Sequence, residues 1–216
     1  MQFVNAVIKA KGLYYFIFIA VCLVLFNFLI QKLFLTEYVY TNTYSAIMDD
    51  ARIHEMFNQV GKYQAWGYFF LPIILLLKIF YNSIWVTSAT VLDGKSYDFG
   101  TNFSICLKTE IIFILLLIAR LVILVLSKNV TTVQDINSIP GSLLDFLNYN
   151  SIPIWGLYAL QTINIWEALY CVFGAIIFAQ RYQVTMRKAF LLFSLPYLIG
   201  VLVLIILFTF LTLQIS

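Results

Sequence analysis

The chain has 216 residues, 62% hydrophobic and 18% aromatic, with only 11% charged and a formal net charge of +3. Soluble domains average about 45–50% apolar and about 25% charged residues. The composition therefore excludes a water-soluble enzyme and a disordered chain, and the weak positive charge excludes a nucleic-acid-binding module. The apolar residues gather in uncharged runs close to the length of about 20 residues that a helix needs to cross hydrocarbon. That makes the lipid bilayer the first partner and predicts an all-α, polytopic bundle forming a single membrane domain over residues 1–216.

The first span is expected at 12–31. Lys9 and Lys11 precede it as in a signal peptide, but a signal h-region is only about 7–15 residues and ends in small residues. Here the run closes on Phe28-Leu29-Ile30-Gln31-Lys32, which has no such cleavage pattern, so it reads as a retained anchor. An outer polar segment, 32–64, follows with Glu37, Asp49, Asp50, Arg52, Glu55 and Lys62. Within it Ala46, Ile47, Ile53, Met56, Phe57 and Val60 recur every three or four residues, which predicts a short amphipathic helix. His54, the single histidine, lies on its wet face.

The second span, 66–88, carries Pro72 and Lys78, and a turn-rich loop from Val91 to Gly100 leads to a third span at 107–126 with Glu110 and Arg120. An outer connector, 127–152, is broken by Pro140-Gly141, and its stretch from Ser142 to Leu147 has room for one or two helical turns. The fourth span, 153–179, holds Asn164 and Glu167. A basic link with Arg181, Arg187 and Lys188 leads to the uncharged fifth span, 189–213.

Lysines and arginines concentrate on the cytoplasmic side of membrane proteins. An inside N-terminus puts Lys9, Lys11, Lys95, Lys108, Arg181, Arg187 and Lys188 in the cytoplasm, against Lys32, Arg52, Lys62 and Lys128 outside. The expected topology is five spans, N-terminus inside and C-terminus outside. Tyr14, Tyr15, Tyr63, Trp66, Tyr68, Trp85, Trp155 and Tyr158 cluster near span ends, as aromatic belts do. Cys22, Cys106 and Cys171 fit neither a metal pattern nor a disulfide framework and read as small buried residues. Asn102-Phe103-Ser104 and Asn129-Val130-Thr131 match the glycosylation sequon, the first on the cytoplasmic side.

The chemistry concentrates in four ionisable residues within spans: Lys78, Glu110, Arg120 and Glu167. Each costs roughly 2.5–3.5 kcal/mol to insert and normally pairs or lines a polar cavity. At about 1.5 Å per residue, Lys78 and Glu167 fall within roughly 3 Å of the same depth, so they are expected to form an intramembrane pair. That pair either fixes helix register, or lines a proton or polar-substrate pathway, or faces another subunit. Asn164 is placed to extend the network. Arg120, near the outer end of its span, is expected to snorkel outward, and Glu110, near the inner end, to meet Lys108, Lys95 or the interface. No metal or cofactor is expected, and no hydrolase or nucleotide motif of the G-x-x-x-x-G-K, H-E-x-x-H or G-x-S-x-G type occurs.

Several segments resemble one family. Gly94-Lys95-Ser96-Tyr97-Asp98-Phe99 after span two is similar to a G-x-x-x-F-type loop. Thr162-Ile163-Asn164-Ile165-Trp166-Glu167, followed by Gly174, is similar to the Asn-aromatic opening of a fourth span, and a basic turn from Arg181 to Lys188 leads to the last helix. Over residues 44–213 the chain resembles the Yip (Ypt-interacting protein) domain family of five-span membrane proteins. Eukaryotic members of that family bind small GTPases through a long cytoplasmic N-terminal region. Only about 11 residues precede the first span here, so the resemblance is to the bacterial branch and implies an inner-membrane protein. The functional expectation is a non-enzymatic accessory, scaffolding or assembly subunit, partnered by other membrane subunits or by copies of itself. The alternative is a small transporter or channel using Lys78 and Glu167.

Overall fold

A computed structural model describes residues 7, 11–94, 96, 98–127, 130–147 and 152–215. Its regular elements are helices: α1 (Gly12–Phe34), α2 (Glu37–Tyr44), α3 (Asp50–Leu92), α4 (Phe99–Thr109), α5 (Ile111–Leu126), α6 (Val133–Asn137), α7 (Ile154–Thr162), α8 (Ile165–Tyr182), α9 (Met186–Ala189) and α10 (Leu195–Ile215). A 3₁₀ turn, Leu143–Phe146, precedes α7, and a π-helical segment, Phe190–Ser194, joins α9 to α10. Four helical runs are long and apolar enough to cross a membrane: Gly12–Phe34, Asp50–Leu92, Phe99–Leu126 and Met186–Gln214.

The amphipathic helix expected inside 32–64 and the span expected at 66–88 are one element. α3 runs 43 residues without a break, through Pro72, a length of about 65 Å that far exceeds the about 30 Å hydrocarbon core. Its apolar half buries Leu75, Ile79, Asn82, Ser83, Val86, Thr87 and Thr90. These recur at three- and four-residue steps along one face, which meets α4 at Asn102, while Tyr81 and Trp85 beside it reach Gly200 of α10.

The third span begins earlier than residue 107. Asp98 caps α4 by accepting the Thr101 N–H at 3.0 Å, and Asn102 is fully buried rather than part of a loop. Its amide donates to Thr87 Oγ1 at 3.0 Å and to Thr90 Oγ1 at 3.3 Å, and Tyr182 donates to its Oδ1 at 2.9 Å. Polar residues that look like loop in the sequence are the mortar between α3, α4 and α8. Asn102→Leu is expected to cost about 1–3 kcal/mol, because it removes three hydrogen bonds from a buried polar cluster. Thermal unfolding in detergent reads that loss, and a change near zero would contradict it. The burial also takes this sequon out of reach of a glycosyl transferase, while Asn129 of the other lies outside the described residues.

The helix turns at Glu110, between α4 and α5. Thr109 Oγ1 donates back to Ile105 O at 2.8 Å, a contact that bends helices. Carbonyls beside the bend are taken up by phenols: Tyr15 donates to Lys108 O at 3.0 Å and Tyr170 to Cys106 O at 3.4 Å. Tyr15 thus works inside the bundle, not only as a belt residue.

The span expected at 153–179 is two helices, α7 and α8, parted at Ile163–Asn164. Asn164 has extended backbone and accepts the Glu167 N–H on Oδ1 at 3.0 Å, while its Nδ2 donates to Gln161 O and Thr162 O. The connector that precedes α7 docks on the break. Leu143 N donates to Ile163 O at 3.0 Å, Ile165 N to Gly141 O at 3.1 Å, and Trp166 Nε1 to Pro140 O at 2.8 Å. Gly141 has φ +79, and a Cβ there would lie 2.7 Å from Ile165 Cγ2.

The π segment has an equally local cause. Pro196 lacks an N–H and its ring crowds the carbonyl four residues earlier, and a single turn of wider π-helix accommodates such a mismatch. Phe193, within it, is fully buried between Tyr170 and Phe178.

Candidate functional site

Three of the four ionisable residues singled out by the sequence come together between the helices, Glu110 buried and Lys78 and Glu167 half-buried, with a different pairing. Lys78 Nζ donates to Glu110 Oε2 at 2.9 Å, not to Glu167. Glu110 is 2% exposed. The expectation that it sits at the inner end of its span fails because the helix starts at Phe99, eleven residues earlier, which places Glu110 at about the height of Lys78. The bend at Glu110 turns this carboxyl into the core. The ammonium also lies 3.4 Å from the centroid of the Phe113 ring and 5.7 Å from that of Tyr170, a cation–π seat that is stronger out of water.

Glu167 sits beside this pair, within coulombic range of both Lys78 and Glu110, and accepts a hydrogen bond from the Tyr197 hydroxyl. Tyr197 stacks on Tyr170 with centroids 4.4 Å apart and planes 25° apart. Tyr170 is within polar reach of Glu110 and Asn82. The two stacked phenols therefore lead to one carboxyl each. Two buried side-chain atoms have no hydrogen-bond partner among the described residues: Glu110 Oε1 and Asn82 Nδ2.

Asn164 contributes otherwise than expected. It meets Glu167 through the backbone N–H, as the cap of α8, and not through the carboxyl. Arg120 reaches the connector after α5, donating through Nε and Nη2 to Ile136 O and through Nη2 to Asn137 Oδ1. It joins α5 to α6 rather than the interior cluster. In the basic link, Lys188 Nζ pairs with Asp93 Oδ2 at 2.8 Å, holding the link to the end of α3, and Arg187 is exposed. Arg181 acts on Asp98, whose carboxyl is held below its usual range mainly by hydrogen bonds from Thr101 and to a smaller extent by that guanidinium.

The sequence reading missed Asn82, Phe113, Tyr170 and Tyr197. One signal was available: Asn82, Ser83, Thr87 and Thr90 are polar residues of an apolar run, and they share one helical face. Tyr170 and Tyr197 carry no such mark, since tyrosine is common at any membrane boundary. Among the described residues no set of three or more His, Cys, Asp or Glu side chains is grouped to hold a metal. Comparison with protein-family models, curated proteins and solved structures finds no match to this chain.

Proposed function

We propose that the chain is a non-enzymatic integral membrane protein serving as an accessory, scaffolding or assembly subunit of a larger membrane complex. In this reading it crosses the bilayer five times, N-terminus inside and C-terminus outside, as a Yip-like protein of a bacterial inner membrane. α8 supplies the fifth crossing: its 18 residues extend about 27 Å, close to the hydrocarbon thickness.

The observation that carries the reading is that the charges in the apolar runs are engaged by the protein's own groups. Lys78 takes Glu110, Glu167 takes the Tyr197 hydroxyl, and Arg120 takes the carbonyl of Ile136. Larger cavities lie elsewhere. A groove of about 580 Å³ between α1 and α3 is lined by Asn27, Gln31, Gln64 and Tyr68, and a polar cup of about 670 Å³ by Thr43, Asp135 and Asp145. Neither is lined by Lys78, Glu110 or Glu167. The transporter reading draws support from Glu110 Oε1 and Asn82 Nδ2, buried polar atoms without partners among the described residues. Purification of the full chain from membranes in mild detergent, with mass measurement of the intact particle, separates the two. The subunit reading expects a stoichiometric partner or a homo-oligomer. A monodisperse monomer that travels alone would count against it.

A further inference from the structure

We infer that the Lys78–Glu110–Glu167 cluster is a binding site for one exchangeable proton, seated at rest on Glu167, with Glu110 Oε1 as its second seat. The side chains facing the two carboxyls are Tyr15 from α1, Lys78 from α3, Cys106 from α4, Tyr158 from α7, Tyr170 and Cys171 from α8, and Tyr197 from α10. All are neutral phenols or thiols except Lys78. Two carboxyls therefore share one ammonium, and full ionisation would leave a net negative charge in the apolar interior. Like charges that share a desolvated site do not both ionise, and uncompensated charge inside a bilayer costs several kcal/mol.

The geometry says which cation restores the balance and where it sits. A metal ion of the Ca²⁺ kind needs a shell of several oxygens, whereas the uncharged group within polar reach of Glu110 is the single phenol of Tyr170, and Oε1 itself has no partner among the described residues. A proton needs only one acceptor. Lys78 lies at 2.9 Å from Glu110 Oε2, so the ionised carboxyl at rest is Glu110 and the neutral one is Glu167, whose hydrogen-bond partner is the uncharged Tyr197 hydroxyl. Glu110 Oε1, buried and free of partners, is where the proton arrives when the ammonium turns toward Glu167 instead. The proton comes from water and returns to it, and no heavy-atom bond changes. The charge count holds whether the chain assembles a complex or moves an ion.

The test is infrared spectroscopy of the full-length protein in lipid vesicles at neutral pH. It reads the C=O stretch of a protonated carboxylic acid and its isotope shift in D₂O. Wild type should show one such band in the absence and presence of sodium. Glu167→Gln should abolish it. Glu110→Gln should abolish it as well, because Glu167 then ionises as the sole counter-ion of Lys78, an outcome that a passive structural role for Glu110 does not predict. Lys78→Met should roughly double the band, since both carboxyls must then be neutral. Absence of the band in wild type, which needs no variant to fold, overturns the proposal. So does a band that survives both glutamine substitutions, or one that sodium removes, which would assign the site to a metal cation.

Discussion

Lys78→Met should be among the most damaging single substitutions in this chain. Removing one partner of a buried ion pair typically costs about 3–5 kcal/mol, because the other is left as an uncompensated charge. Glu110, 2% exposed, is the group left behind, and proton uptake by it brings the loss toward the lower end of that range. The ammonium's seat over Phe113 is lost at the same time. Lys78→Met combined with Glu110→Leu should recover most of the stability, since apolar residues of similar volume replace buried pairs at little cost. A double-mutant cycle of thermal or denaturant unfolding in detergent measures the coupling. The cycle should give a larger coupling for Lys78 with Glu110 than for Lys78 with Glu167, which meets the Tyr197 hydroxyl. Equal couplings, or a double variant as unstable as the single, would remove the ion pair from its place at the centre of the core.

The partner of Lys78 was beyond reach of the sequence for a definite reason. Depth along a span is legible, because residues can be counted from a polar boundary, and counting put Lys78 and Glu167 at one height. The error entered at the boundary of the third span. Asn102 and Ser104 fall before the expected span under hydropathy alone, yet Asn102 is a buried residue of α4 with all-protein partners. Moving the helix start from 107 to Phe99 moves Glu110 from an interface to the interior. Polar residues that face neighbouring helices are invisible to an average over a window; they appear only as a face. The Asn82, Ser83, Thr87 and Thr90 stripe on α3 was that face, and its match on α4 is Asn102. By contrast, the long apolar runs were legible, because they depend on local composition alone. The break at Asn164 was half legible. The residue was recognised as polar and close to Glu167, but a helix N-cap and an intramembrane network residue have the same letter, and only the backbone angle distinguishes them.

Gly174→Ala should be the second large effect, through a single methyl group. A Cβ at Gly174 would stand 1.9 Å from Phe193 Cε1 and 2.3 Å from its Cζ, far inside van der Waals contact. The ring has little room to retreat, since it lies against Tyr170 and Phe178 and its backbone belongs to the π segment. Overpacking of a filled core costs typically about 1–3 kcal/mol, and the upper part of that range is expected here. Gly200→Ala should be milder although its Cβ would lie 2.7 Å from Trp85 Cδ1, because Trp85 is only half-buried and can tilt outward. The consequence of Gly174→Ala also reaches the ionisable cluster. Tyr197 follows Phe193 by one helical turn, and any outward shift of the π segment carries its hydroxyl away from Glu167. Phe193→Leu removes the ring atoms that collide, so the double variant should lose less stability than the two single losses added together. Unfolding of the four proteins in the same detergent checks this, and simple additivity would mean that Gly174 and Phe193 do not constrain each other.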